Sequence, residues 1–269
     1  LMFDGPIETL TLTENAQPCL LTVSLMIQKV IETEFKKDIT QLAKSVAGHS
    51  LGEYSALTAA GSFNILDASM LVKIRGNAMQ KAVPVGVGAM AAIIGLDYES
   101  CLDVAKLAEN EHETCTIAND NSPGQVVLSG HVKAIERALE IAKEKGAKRA
   151  LILPVSAPFH SPLMEKAAQV MDQALASISI NKPSLDVYSN VTSLKMEESQ
   201  IRPLLVKQVT GEVKWVALIN NMMKDGINTF IEVGPGKVLS GLVKRINKDV
   251  NVLSCENPED LKSLENIFG

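Results

Sequence analysis

The sequence predicts an α/β fold, a parallel-sheet core that carries a smaller ferredoxin-like (βαββαβ) subdomain. Three observations point there. Strand-like and helix-like runs alternate along most of the 269 residues, the pattern of strands joined by helical crossovers. Gly48-His49-Ser50-Leu51-Gly52 stands where a short apolar run gives way to a helix-compatible one, so a strand should turn sharply into a helix at Ser50. Between residues 86 and 156 the runs read strand, helix, strand, strand, helix, strand, the split order of the ferredoxin-like motif. The expected division is a first part of the core over 1–85, the small subdomain over 86–156 and a second part of the core over 157–269.

Taken in order, residues 1–17 are turn-rich, and a helix is expected over about 18–36 with Pro18 near its first turn. Its apolar stripe is Leu21, Leu25, Ile27, Val30 and Ile31. A short strand over 44–47 leads into the turn at Ser50, and a helix over 51–60 stops at Gly61. A second helix over 65–82 is closed by Pro84. The subdomain then follows, with strands over 90–94, 114–118, 125–129 and 149–155, helices over 98–109 and 132–145, and a turn at Asn121-Ser122-Pro123-Gly124. Beyond the loop Val155-Ser156-Ala157-Pro158-Phe159-His160-Ser161-Pro162, a helix runs to about 178. Strands are expected over 185–189, 229–233 and 251–255, and helices over 201–209, 213–224 and from Lys237 to about 246, before a short helical tail.

Composition bounds the function. A formal charge of -5 argues against nucleic acid or an anionic membrane as the main partner. No apolar run reaches the ~20 residues that span a bilayer. The four cysteines, Cys19, Cys101, Cys115 and Cys255, lie far apart without a C-x-x-C pair and read as free thiols in a reducing compartment, so a cytoplasmic location is expected. No His/Cys cluster has metal-ligand spacing, and neither a metal nor another cofactor is expected. The opening Leu1-Met2-Phe3-Asp4-Gly5-Pro6 reads as the inside of a loop, so part of the amino terminus is expected to lie upstream.

Gly48-His49-Ser50-Leu51-Gly52 fits G-x-S-x-G, the nucleophile elbow. A serine on such a turn exposes its hydroxyl, its flanking positions must be small, and the helix start behind it offers free N–H groups to a developing oxyanion. The base is then sought among four histidines. His49 should project away from the reacting side of the hydroxyl, His112 lies in an acidic segment and His131 starts a helix of the small subdomain. His160, in a proline-bracketed loop after a strand, is chosen as the base. Spacing alone yields no acid partner for it. Arg75 shares a helix face with Ala68, Leu71, Ala78 and Ala82, so it lies on an apolar stripe and must be paired. The partner is either a nearby Asp or Glu or the carboxylate of a substrate, gripped by two parallel N–H bonds. Gly234-Pro235-Gly236-Lys237 lacks the spacing of a phosphate loop and reads as a structural turn.

Several stretches together resemble the malonyl-CoA:acyl-carrier-protein transacylase family of bacterial-type fatty acid synthesis. They are Gln17-Pro18 with the apolar helix after it, the elbow with Glu53-Tyr54, Arg75-Gly76 with Met79-Gln80, Gly88-Ala89-Met90-Ala91-Ala92, Asn121-Ser122-Pro123-Gly124-Gln125, Ser156-Ala157-Pro158-Phe159-His160 and Glu232-Val233-Gly234-Pro235-Gly236. The resemblance runs through nearly the whole chain in order. It implies an α/β-hydrolase-like core with a ferredoxin-like subdomain. It also implies Ser50 as the acyl-accepting nucleophile, His160 as its base and Arg75 as the malonyl-binding arginine. The backbone carbonyl of Gln208 would orient the histidine and the Leu51 N–H would serve the oxyanion. Gln17, Met79 and Asn121 would line the pocket, and Phe159 before His160 resembles malonyl-selective members. The family's first strand ends in a Gly-Gln-Gly motif that supplies a second oxyanion N–H; this chain aligns only from beyond it. The implied partners are malonyl-CoA and acyl carrier protein, with a monomeric enzyme expected; the phosphopantetheine belongs to the carrier. Lys237, Lys244 and Arg245 are candidates for a basic face toward an acidic carrier. The rival readings are a serine esterase or thioesterase on the same core, and an inactive carrier-binding fragment.

Overall fold

Gly48 fixes how the chain can turn at the elbow, and the elements around it follow from similarly local causes. The computed structural model describes residues 1–155 and 157–269; Ser156, which ends the expected subdomain, lies outside the described residues. The first elements are α1 (Ile7–Leu10), α2 (Thr13–Phe35), α3 (Ile39–Leu42), β1 (Ser45–Val46), α4 (Gly52–Ala59) and α5 (Ile65–Lys81). α2 begins five residues before the expected start, so Pro18 lies inside the helix rather than in its first turn. The polar run Thr13 to Gln17 is helix-compatible and extends the helix past the proline, whose only loss is one N–H. Of the expected stripe, Leu21 and Ile31 are buried and Leu25 and Ile27 pack at core edges, whereas Val30 is exposed. Asp38 and Gln41 cap α3 reciprocally. Gly61, at φ 79°, ends the helix after the elbow as expected.

The small sheet comprises β2 (Gly88–Ile94), β3 (Cys115–Ser122), β4 (Gln125–His131) and β5 (Arg149–Ile152), with α6 (Tyr98–Ala108) and α7 (Val132–Glu144) between them. Its order is β3-β4-β2-β5 with every pair antiparallel, the ferredoxin-like arrangement. The two helices bury Val104, Ala108, Ile135 and Ala138 against Ala91, Ile93 and Leu128 of the strands. β5 ends three residues before the expected bound. After one more bond, Leu153 N–H to Met90 O, the chain folds on itself through Val155 N–H to Leu153 O.

A 3₁₀ turn (Pro162–Met164) then enters α8 (Glu165–Ala176), followed by β6 (Asp186–Val187), α9 (Glu198–Thr210), α10 (Trp215–Lys224), β7 (Thr229–Val233), α11 (Val238–Ile246), β8 (Asn251–Cys255) and, after a second 3₁₀ turn, α12 (Leu261–Phe268). The parallel pairing expected of the core is present but divided: β1 pairs with β6, β7 pairs with β8, and no ladder joins the two among the described residues. β6 is shorter than the expected 185–189: after Tyr188 N–H to Val46 O, the chain turns to a return loop through Ser189 N–H to Leu194 O, while Met196 N–H bonds Val187 O. Around β1 and β6, helices α2, α4, α5, α8 and α9 bury one cluster that includes Leu21, Leu57, Leu71, Met171 and Leu205. No helix among the described residues is long and apolar enough to cross a membrane.

Two features of this frame position the site. Gly76 lets α5 meet α2 at close range, since a Cβ there would lie 2.6 Å from the Cα of Glu14. That approach places Gln17 of α2 against Arg75 of α5. The small sheet is tied to the core by Asp120 N–H to Val213 O, 3.0 Å, and Val213 N–H to Ala118 O, 2.8 Å.

Candidate active site

A Cβ on Gly48 would sit 1.9 Å from the carbonyl oxygen of Gly52, so only glycine fits where β1 folds back on the start of α4. The expectation for the other flank is corrected: a Cβ on Gly52 meets nothing within 4 Å. Gly52 matters as the backbone that fills the space beside Gly48. Between them Ser50 takes φ 52°, a left-handed conformation that costs an L-residue roughly 1–2 kcal/mol. Two amides offset that cost. Asn190 accepts the Ser50 N–H at 2.6 Å through Oδ1 and donates to Gly48 O at 2.8 Å, and Gln208 Nε2 donates to Ser50 O at 2.9 Å. Among the described residues the Leu51 N–H donates to nothing; it stands at the start of α4, where a helix favours negative charge.

The structure brings Ser50, His160, Arg75, Gln17 and Gln208 together. Ser50 Oγ lies 2.8 Å from His160 Nε2. His160, itself at φ 57°, turns Nδ1 to the carbonyl oxygens of Gln208, 2.9 Å, and Gly211, 3.2 Å. Both partners are acceptors, so Nδ1 carries the proton and Nε2 faces the hydroxyl with its lone pair. Burial, and then the Arg75 charge, push the imidazole down to about 3, which keeps it neutral and proton-accepting at neutral pH.

Arg75 is 1% exposed. Its Nη1 donates to Gln17 Oε1 at 2.7 Å, and its Nη2 to Gln208 Oε1 at 2.9 Å and to Ser50 Oγ at 3.0 Å. The Tyr54 ring lies 5.7 Å from the guanidinium carbon. No Asp or Glu forms a salt bridge with Arg75 among the described residues, so the guanidinium is held by neutral groups and keeps its charge unmatched by a contacting carboxylate. Met79 is buried, with Sδ 4.0 Å from Gln17 Nε2. Asn121 bonds His49 rather than Ser50: His49 Nε2 is 2.8 Å from Asn121 Oδ1, and the His49 ring rests 5.4 Å from that of Trp215. His131 Nδ1 accepts the Thr114 N–H, a structural duty.

Three contacts of the site are not signalled by local sequence pattern. Asn190 follows β6 and reaches the elbow from 140 positions away, a pairing that nothing local signals. The side chain of Gln208 bonds Arg75, Ser50 and Glu53, in addition to the role expected of its carbonyl. Glu53, fully buried beneath the elbow, is pushed up to about 7 by burial. The Gly234-Pro235-Gly236-Lys237 turn is structural: Glu232 accepts the Leu239 and Ser240 N–H groups and Glu256 accepts that of Gly236, so carboxylates occupy the donors that a phosphate would need. Of the candidate basic residues, Lys244 bonds Val250 O and Arg245 bonds Gln125 Oε1, so both serve internal contacts. Among the described residues no three His, Cys, Asp or Glu stand together as a metal site.

The family model described as the acyl transferase domain matches residues 1–258. The chain belongs to that acyltransferase family. This acyltransferase is 46% identical over 264 residues to the malonyl CoA-acyl carrier protein transacylase of Bacillus subtilis, across 97% of its own length and 81% of the relative's. It is similar in structure to the acyl-carrier-protein-S-malonyltransferase of Bartonella henselae, with a TM-score of 0.93 and 47% identity over 99% of this chain and 85% of that one. A type II PKS malonyl-transacylase solved with its acyl-carrier protein is similar at a TM-score of 0.93 and 40% identity, over 98% of this chain and 84% of that one. The acyltransferase thus shares with these neighbours an α/β-hydrolase-like core bearing a ferredoxin-like subdomain.

Proposed function

We propose that this acyltransferase moves the malonyl group of malonyl-CoA to the phosphopantetheine thiol of an acyl carrier protein, by way of an ester on Ser50. The observation that carries the proposal is Arg75, a buried guanidinium with no contacting acid among the described residues, 3.0 Å from the candidate nucleophile. In a malonyl thioester the free carboxylate is separated from the reacting carbonyl by one methylene. An arginine this close to Ser50 Oγ can therefore hold that carboxylate while the carbonyl meets the hydroxyl.

His160 Nε2 takes the Ser50 proton as Oγ bonds to the thioester carbon. The oxyanion forms against the Leu51 N–H and the start of α4. Its collapse breaks the C–S bond, the imidazolium returns its proton to the departing coenzyme A sulfur, and malonyl remains on Ser50. The carrier thiol then gives its proton to His160 and attacks the ester, and Ser50 is released with that proton. Atoms balance between two thioesters, so the reaction asks for no further cofactor. The carrier as acceptor is supported by the names of the relatives and by the solved complex of one with its carrier. Four free thiols fit a reducing cytoplasm. Intact-mass analysis after incubation with malonyl-CoA tests the proposal: one malonyl ester is expected on the parent and none on Ser50→Ala. Equal labelling of both proteins would refute it.

A further inference from the structure

Glu53 has no task in the mechanism above, yet it lies at the centre of the groups that perform it. It is 0% exposed in the first turn of α4, three residues after Ser50. One oxygen, Oε2, accepts from Gln208 Nε2 at 2.6 Å and from the Asn190 N–H at 3.2 Å. The other, Oε1, is buried without a partner among the described residues. A half-satisfied buried carboxyl is a poor device for stability, because an apolar side chain of similar size could fill the place without the desolvation penalty.

What the carboxyl does is impose a direction. Gln208 and Asn190 are the two residues whose side chains grip the Ser50 peptide from either side. An acceptor at Glu53 Oε2 compels Gln208 to turn Nε2 toward it and toward Ser50 O, which leaves Oε1 for Arg75. With the amide reversed, an NH₂ group would face the guanidinium and an oxygen would face two other oxygens. Gln208 also supplies, through its main chain, the carbonyl that holds His160 Nδ1. The Asn190 N–H bond seats the second amide, whose oxygen takes the Ser50 N–H.

We infer that Glu53 is a positioning residue, whose acceptor oxygen fixes Gln208 and Asn190 and through them the placement of Ser50, His160 and Arg75. The inference rests on the proposed function only in taking Ser50 as the nucleophile. Because a neutral carboxyl still accepts through Oε2, the role needs the oxygen rather than the charge.

The test uses Glu53→Met, which keeps volume and removes the acceptor, and Glu53→Gln, which keeps an acceptor oxygen. Two rates are read on each: labelling of Ser50 by a fluorophosphonate, which needs the Ser50–His160 pair but no malonyl group, and acylation by malonyl-CoA with its KM. Urea denaturation confirms the folded fraction. For Glu53→Met both rates should fall about 10²-fold, as for other small misplacements of reacting groups, with KM within about threefold. Glu53→Gln should stay within about threefold of the parent in both. Labelling of folded Glu53→Met within threefold of the parent would overturn the inference. So would a Glu53→Gln as slow as Glu53→Met, which would assign the effect to charge. If Glu53→Met does not fold, the Glu53→Gln rate decides alone, and a tenfold loss overturns the inference. A parent that reacts with the fluorophosphonate but takes no malonyl from malonyl-CoA would refute the proposed function and leave the positioning role to be judged by the labelling rates.

Discussion

Arg75 donates to Ser50 Oγ in the resting site, where His160 Nε2 also meets that oxygen, so the hydroxyl accepts one hydrogen bond and donates another. A substrate carboxylate would draw the guanidinium onto itself and leave the hydroxyl to the imidazole alone. Acetyl offers no such group and leaves a buried charge without a counter-ion. The difference is of the order of 1–3 kcal/mol, the cost of an unmet buried donor. Arg75→Ala should therefore slow acylation by malonyl-CoA by about 10–100-fold and acylation by acetyl-CoA by less than about fivefold, as stopped-time mass spectrometry of the Ser50 ester would show. Losses of equal size for both thioesters would detach Arg75 from carboxylate recognition. Arg75 was legible as a buried arginine from its apolar neighbours three and four positions away. Its neutral partners were not, because Gln17 and Gln208 stand 58 and 133 positions from it.

The elbow joins β1 to α4 through backbone contact, and its two glycines differ in consequence. Gly48→Ala would drive a methyl into the Gly52 carbonyl and must shift Ser50 or open the turn. Activity should fall at least about 10²-fold, with stability lowered by about 2–4 kcal/mol, the range of overpacked and strained sites. Gly52→Ala finds open space in the first turn of a helix, where alanine is favoured by roughly 1 kcal/mol, so stability should hold or rise. Urea midpoints and acylation rates for the pair check both statements; a Gly48→Ala enzyme as active as Gly52→Ala would contradict the geometry. Elements as self-contained as this one read well from sequence. The bounds expected for β7 and β8 agree with Thr229–Val233 and Asn251–Cys255, since each is an apolar run bracketed by turn residues. β6 read poorly, because the expected segment outlasts the two-residue partner strand and its end, Ser189, bonds to the return loop instead. Asn190, next to that loop, was illegible for the same reason: its duty is set by a partner far along the chain.

Across the molecule, the buried groups of the site pull stability in opposite directions as pH changes. His160 falls from an ordinary 6.5 to about 3, so between those values the unfolded chain binds the proton and stability drops as pH falls. Glu53 rises from 4.5 to about 7, so the folded chain holds that proton and stability drops as pH rises through the interval. Asp120, raised to about 6, acts in the same sense as Glu53. In the shared window, from 4.5 to 6.5, the slopes of His160 and Glu53 oppose each other. Glu53→Gln removes one of them. Its unfolding free energy, from urea titrations across that window, should climb relative to the parent by about 1 kcal/mol per pH unit. Parallel curves would show that Glu53 does not titrate as its burial requires.

At the same scale, Ser50 stands in a site assembled from distant parts of the core, with Arg75 beside it held by Gln17 of α2 and Gln208 of α9. Such a site suits a transferase only if the acyl ester outlives water and yields to a thiol. The most direct test is a chase of the malonyl–Ser50 ester, isolated free of malonyl-CoA and divided between buffer and a holo acyl carrier protein. Transfer to the carrier thiol should outpace hydrolysis by at least about 10²-fold, the span that a positioned acceptor gains over bulk solvent. An ester lost to water as fast as to the carrier would make the protein a thioesterase and contradict the proposed transfer.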